Sequence, residues 1–339
     1  MGARTESPGS APAVTPADIL GAARGGADER HRLDATLAGL AEADRAAVIA
    51  ATACTDGGLW ALVLLRGHVL AHRGDEVGLD TVERSLRHEL RSRFSPSALE
   101  FRPIGPDASD DLLDQVTACE SVHLIRGRDD LLRRLHPLDR RCFALVHPAL
   151  PEDPVVFVEV ALGTGLAPSV QAVLDAEPPT VEPDGVDTAT FYSINNCQEG
   201  LKGIPFGAEL LHRAIDHLAA TTPVTKFATL SPIPGFARWL DGHPAEQDGS
   251  LLAACARYLL TAKRGRQPLD PVARFHLGAG ARLERLNPEG DTSARGLKRY
   301  RGITANYLYD RDDLAENQSA FDRGEVVASR AVTALLTDP

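Results

Sequence analysis

Three segments of the chain hold side chains able to move a proton or cradle an anion. The first is Ser231-Pro232-Ile233-Pro234-Gly235-Phe236. Two prolines stiffen that loop and hold Ser231 in one place. Its hydroxyl can donate or accept a hydrogen bond, as can any serine that merely caps a turn. No GxSxG elbow surrounds it, so a hydrolase nucleophile is not indicated. The second is ARFHLGAGA (273–281), where His276 precedes a glycine-rich turn. An imidazole titrates near neutrality and can carry a proton to or from carbon. The chain has eleven histidines, however, and most histidines are surface or satisfied core residues. The third is QEGLKGIPFG (198–207), with Gly200, Gly203, Gly207 and the cation Lys202. Glycines bring backbone close to a ligand, and free N–H groups at a helix start favour an anion. The spacing is neither GxGxxG nor a Walker loop. Tight-turn packing is the alternative use of these glycines. Near the end, ANYLYD (305–310) places Tyr307 and Tyr309 on one face if extended, for the site or for packing.

Elements must position these groups. Thr190–Ile194 is expected as a strand and Gly207–Ala220 as a helix with Leu210, Leu211, Ala214, Ile215 and Leu218 in one stripe. Pro223 stops that helix, and Lys226–Leu230 forms the strand that leads into Ser231. His276 is expected on a strand, with Arg274 on its side and Phe275 and Leu277 on the other. Upstream, Cys142–Val146 and Val155–Leu162 predict a hairpin around a proline-rich turn, preceded by helices over Asp111–Cys119 and Asp129–Leu135. From Pro16 to Ser92 the leucines recur at helical spacing (Leu33, Leu37, Leu40; Leu59, Leu62, Leu65, Val69; Val82, Leu86, Leu90), and Phe94–Pro106 reads as a linker.

Composition excludes other classes. Hydrophobic residues make up 43% and charged residues 24%, as in an ordinary globular protein. No apolar run approaches the roughly 20 residues of a membrane helix. Residues 1–16, rich in Ala, Pro, Ser and Gly, are expected to be a disordered lead without a signal-type apolar block, and a cytoplasmic location follows as the default. The five cysteines are scattered without a CxxC pair, so neither zinc ribbon nor disulfide framework is indicated. The net charge of -11 argues against nucleic acid, although Lys263–Arg301 holds ten Lys/Arg against four Asp/Glu.

Taken in order, FYSINNCQEGLKGIPFGAELL, TLSPIPGFARWL, DPVARFHLGAGARLERLN and NYLYD resemble segments of the malonyl-CoA decarboxylases. FSPSALEFRPIGPDAS, ESVHLI and RRCFALVHPALPEDP are similar as well, so the resemblance runs from about Ala51 to the C-terminus. The glycine loop itself looks like the pyrophosphate loop of the GNAT acetyltransferases. The resemblance implies an α+β protein, with an all-α helical bundle (17–92) that mediates homo-oligomerisation and a GNAT-like mixed α/β catalytic domain (93–339). It implies decarboxylation of malonyl-CoA to acetyl-CoA and CO2. Carried over by motif, Ser231 and His276 are the catalytic pair, with Tyr309 near them. Lys202, Gly203, Ile204, Pro205, Phe206, Gly207 and Ala208 form the acyl-CoA loop. No metal and no cofactor beyond the substrate's CoA are expected. Departures, such as Arg128 and Pro288 where tryptophans are expected, bear on acyl specificity more than on reaction type. An acyltransferase sharing the glycine loop and a non-catalytic acyl-CoA sensor are the competing classes. Acetyl-CoA formed without an acceptor would separate the decarboxylase from both.

Overall fold

The computed structural model describes residues 14–74, 77–175, 185–246 and 249–336, and they form two compact units. The first takes the described residues up to Glu100 together with 146–155 and 196–204; the second holds 101–145, 156–195 and the chain from Pro205 onward.

The first unit is built on five helices: α1 (Pro16–Arg24), α2 (Ala27–Gly39), α3 (Glu42–Ala53), α4 (Gly58–His72) and α5 (Leu79–Arg93). Thr15 caps α1 through a reciprocal capping box with Asp18, and Pro16 is its first residue. The end of the stretch expected as a disordered lead is thus the start of a helix; residues 1–13 lie outside the described residues. α4 is apolar almost all round, as a central helix must be, and Leu62, Leu65 and Val69 are fully buried. α5 buries Val82, Leu86 and Leu90 and turns its arginines outward. Leu40, expected to continue the α2 stripe, instead ends that helix. Arg45 reinforces the end of α2 by donating to the carbonyls of Leu37, which also accepts the Leu40 N–H, and Leu40.

The second unit is a seven-stranded sheet with helices packed on it. In chain order it runs β1 (Glu100–Pro103), α6 (Asp110–Cys119), α7 (Arg128–Leu135), β2 (Arg140–Val146), β3 (Val156–Gly163), α8 (Val170–Leu174) and β4 (Thr188–Asn196). There follow α9 (Phe206–Thr221), β5 (Lys226–Thr229), α10 (Phe236–Asp241), α11 (Leu251–Thr261), the two-residue pair β6 (Lys263–Arg264) and β7 (Gln267–Pro268), and α12 (Pro271–Gly278). The chain ends with β8 (Arg282–Asn287), α13 (Ala294–Tyr300), β9 (Thr304–Leu308), α14 (Leu314–Arg323) and α15 (Arg330–Ala334). The sheet order is β1-β2-β3-β4-β5-β9-β8. β2/β3, β5/β9 and β8/β9 are antiparallel, whereas β4 and β5 are parallel and joined through α9. This is the strand–loop–helix–strand crossover expected from the glycine-loop segment. The linker expected over Phe94–Pro106 contains the edge strand β1.

β4 pairs with β5 only from Thr188 to Phe191 and then runs on to Asn196. Past Thr229 the other strand turns away, making one bridge to β9 at Ser231↔Ala305. The sheet therefore splits at its centre, and Ser231 stands where it splits.

Candidate active site

Ser231 is fixed by its backbone before its side chain is considered. Its N–H donates to the Ala305 carbonyl at 2.8 Å and its carbonyl accepts from Ala305 N–H at 2.9 Å. The side chain is buried and donates to Thr229 Oγ1 at 2.8 Å. Thr229 lies two residues earlier and so shares its face. Thr229 Oγ1 also accepts the Tyr307 backbone N–H at 3.1 Å, so the two strands are pinned on either side of the hydroxyl.

His276 reaches the same point from α12, not from a strand. The expected strand is overturned by Asp270-Pro271, an N-cap followed by proline at the first helical position. Asp270 Oδ1 accepts the N–H groups of Val272 and Ala273 at 2.9 and 3.0 Å. Its other oxygen accepts from Gly235 N–H and the Tyr258 hydroxyl, each at 3.3 Å. One buried carboxylate thus ties the start of the His276 helix to the loop that follows Ser231.

His276 Nε2 lies 3.0 Å from Ser231 Oγ, and Nδ1 lies 2.8 Å from the Tyr309 hydroxyl. The ring stacks on Tyr307 with centroids 4.8 Å apart and planes 26° from parallel. Burial pushes the imidazole pKa down to about 3, so it is neutral near pH 7. Burial pushes Tyr309 up, so its phenol keeps its proton. Because the Ser231 proton points to Thr229, one arrangement satisfies every group. Tyr309 O–H donates to Nδ1, Nε2–H donates to Ser231 Oγ, and Ser231 donates to Thr229.

The glycines of the loop divide between packing and openness. A Cβ on Gly200 would sit 1.8 Å from the Val63 carbonyl oxygen of α4, so this glycine lets two backbones meet. Arg66, also of α4, donates to the carbonyls of Gly200 at 2.6 Å and Lys202 at 3.0 Å while pairing with Glu83 at 2.8 Å. A Cβ on Gly207 would meet the Phe275 ring at 2.8 Å. Only Gly203 combines a positive φ of 81° with open space. The Lys202 side chain is exposed, and Ile204 closes a turn onto the Leu201 carbonyl at 3.1 Å. Lys202–Ile204 belong to the first unit, Pro205–Ala208 to the second.

Within the second unit, α9 begins beside α12. Phe275, next to His276, fills the space Gly207 leaves, and His212 Nε2 donates to the Ala279 carbonyl at 2.9 Å. Pro205 stands at the N-cap of α9 and offers no side-chain acceptor to the first-turn N–H groups. Phe206 and Gly207 are buried there and Ala208 is half-buried. The structure therefore brings together Ser231, His276 and Tyr309, adds Thr229, Tyr307 and Asp270, and sets the start of α9 against the same helix. Thr229 had a sequence signal, its i−2 spacing to Ser231 on an expected strand. Asp270 had one as well, as a helix-capping residue before proline.

The chain resembles several characterised proteins. A family model described as the malonyl-CoA decarboxylase C-terminal domain matches residues 97–254 and 244–339. A mitochondrial malonyl-CoA decarboxylase of Anser anser anser is 31% identical over 322 residues, covering 78% of this chain and 64% of that protein. The chain thus spans about two thirds of the length of its curated relatives, or slightly less. Crystal structures of malonyl-CoA decarboxylases from Agrobacterium vitis and Rhodopseudomonas palustris superpose with TM-scores of 0.81 and 0.77, at 36% and 30% identity. They cover 96% and 95% of this chain, and 87% and 100% of their own. On the extent of the family match and of these superpositions, the chain belongs to the malonyl-CoA decarboxylase family.

Proposed function

We propose that the protein decarboxylates malonyl-CoA, releasing CO2 and acetyl-CoA. The observation that carries this reading is the buried hydrogen-bonded series Tyr309–His276–Ser231–Thr229, a set of neutral proton-handling groups. The bond from C2 to the carboxylate breaks, and its electron pair enters the thioester as an enolate. CO2 leaves, and the enolate takes a proton at C2. The thioester accepts the electrons, so no metal or organic cofactor is needed for that step. Backbone donors at the thioester oxygen would stabilise the developing charge, a single one by roughly 3 kcal/mol.

On binding, the Ser231 hydroxyl turns its one proton from Thr229 Oγ1 to the substrate carboxylate and orients it. That anion also changes His276: an opposite charge within hydrogen-bond reach favours the imidazolium that burial alone disfavours. The proton taken up from solvent on binding is then delivered to C2 as the negative charge moves from carboxylate to enolate. General acid catalysis of this kind contributes about 10²–10⁴-fold. The first turn of α9, at Pro205–Ala208, carries no side-chain cap, and its helix dipole suits the CoA diphosphate. Family resemblance supports two further expectations, homo-oligomerisation through the helical unit and a cytoplasmic location. Among the described residues no helix is long and apolar enough to cross a membrane.

A panel of malonyl and methylmalonyl thioesters, incubated with the purified chain and no acceptor, tests the reading. Stoichiometric CO2 and the shortened acyl-CoA are expected. Turnover that appears only when an amine or thiol acceptor is added would replace the proposal with acyl transfer.

A further inference from the structure

Helices α2 and α4 of the helical unit bring three imidazoles to one point. His31 and Asp34 are three apart on α2; His68 and His72 are four apart on α4. Both spacings put side chains on one face of a helix. The three rings touch in every pairing, with centroids 4.6, 4.6 and 4.3 Å apart. One ligand atom from each lies within 4.8 Å of the others, the only such group of three or more His, Cys, Asp or Glu found among the described residues. His72 Nδ1 stands 2.9 Å from the His68 carbonyl, which accepts its proton and leaves Nε2 with the lone pair a metal needs. The Asp34 carboxylate is fully buried, with Oδ2 3.5 Å from His68 Nε2.

We propose that His31, His68 and His72 form a transition-metal site, for zinc(II) by its donor set, that clamps α2 to α4, with the Asp34 carboxylate beside His68 turning in to take the fourth position. Imidazole and carboxylate are zinc ligands, and His at i and i+4 on a helix is a recurrent half-site. Tetrahedral bonds of about 2.0–2.1 Å place ligand atoms roughly 3.4 Å apart. The Asp34–His68 separation already matches that edge. The imidazole ligand atoms, within 4.8 Å of one another, close on one another by up to about 1.4 Å through side-chain rotation, and Asp34 turns toward them. A divalent ion neutralises the carboxylate and gives each ring a ligand role. Four ligands fill the tetrahedron and leave no open position, so the site is structural rather than catalytic. The expectation of no metal came from the active-site motifs and from the absence of CxxC; the four residues here are too scattered in sequence to form a motif.

The test uses the full chain with any affinity tag removed, dialysed against a chelator. Zinc chloride is then added, and bound metal is measured by mass spectrometry after gel filtration, with the melting temperature recorded in parallel. One equivalent per chain and a raised melting temperature are expected. Cobalt(II) should give the intense visible bands of a tetrahedral site. H31Q and H72Q, both at half-exposed positions, should each weaken zinc binding at least tenfold while keeping the far-UV circular dichroism of the parent. If one variant fails to fold, the other decides. Absence of a tightly bound equivalent, or undiminished binding in a folded variant, overturns the proposal, since the metal would then sit elsewhere. Decarboxylation of malonyl-CoA is assayed separately and does not enter this readout.

Discussion

The Tyr309 hydroxyl stands 2.8 Å from Nδ1 of His276, buried on the side of the ring opposite Ser231. A phenol that keeps its proton at this position fixes which nitrogen of the imidazole is the donor toward the reacting end. Tyr309 is thus a positioning residue, since it acts through His276. Tyr309→Phe removes one hydrogen bond and leaves Nδ1 buried without it, at a cost of about 1–3 kcal/mol in stability. On the proposed mechanism kcat falls roughly tenfold while KM changes little. Steady-state kinetics beside a urea melt check both, and an equal rise in KM with unchanged kcat would point to binding instead.

The depressed pKa of His276 has a consequence for acid stability. In the unfolded chain an imidazole titrates near 6.5; in the fold it does so at about 3. Between those values the unfolded state binds the extra proton, so stability is lost as pH falls through that window and is fully present above it. The slope is about 1.4 kcal/mol per pH unit for this one group. His276→Gln, folded, should flatten the stability profile between pH 6 and 4 relative to the parent, other groups contributing equally to both (about two units of the window). Chemical denaturation at several pH values measures the difference, and parallel profiles would contradict the assignment.

Gly235 has no room for a methyl group. A Cβ there would lie 2.0 Å from the Tyr258 hydroxyl, which belongs to the Asp270 cluster. Gly235→Ala should destabilise by about 1–3 kcal/mol and displace the loop after Ser231, lowering kcat. Adding Tyr258→Phe removes the obstructing oxygen and should restore part of the loss. A thermal melt of the single and double variants is the check; no recovery in the double variant would mean the strain lies in the backbone.

Arg66 bridges the buried Glu83 and the carbonyls of Gly200 and Lys202. Arg66→Met leaves the buried Glu83 carboxylate to the exposed Arg87, 3.7 Å away, and two carbonyls short of donors, which costs about 3–5 kcal/mol. Removing the charge as well, in Arg66→Met with Glu83→Leu, should recover a good part of it. Denaturant midpoints for the cycle decide whether the pair is coupled.

Much of this site was legible in the chain. The double-proline bend at Ser231 and the glycine loop before α9 were placed by turn chemistry and apolar stripes, both local signals. His276 was expected on a strand because Phe275 and Leu277 alternate with polar neighbours. Over so few residues that alternation also fits a helix, and the Asp270-Pro271 start signal decides between them. The roles of Gly200 and Gly207 were not legible, because the atoms they make room for, on Val63 and Phe275, are distant in sequence. The same holds for the histidine cluster of α2 and α4, whose members are unremarkable one by one.

On the proposed mechanism, His276 delivers the proton that completes decarboxylation beside Ser231. Turnover of malonyl-CoA by the parent, His276→Gln and Ser231→Ala chains, followed by mass spectrometry of the CoA products, tests it most directly. Acetyl-CoA from the parent and a loss of about 10²–10⁴-fold in folded His276→Gln are predicted. Near-parental acetyl-CoA formation by that variant would contradict it.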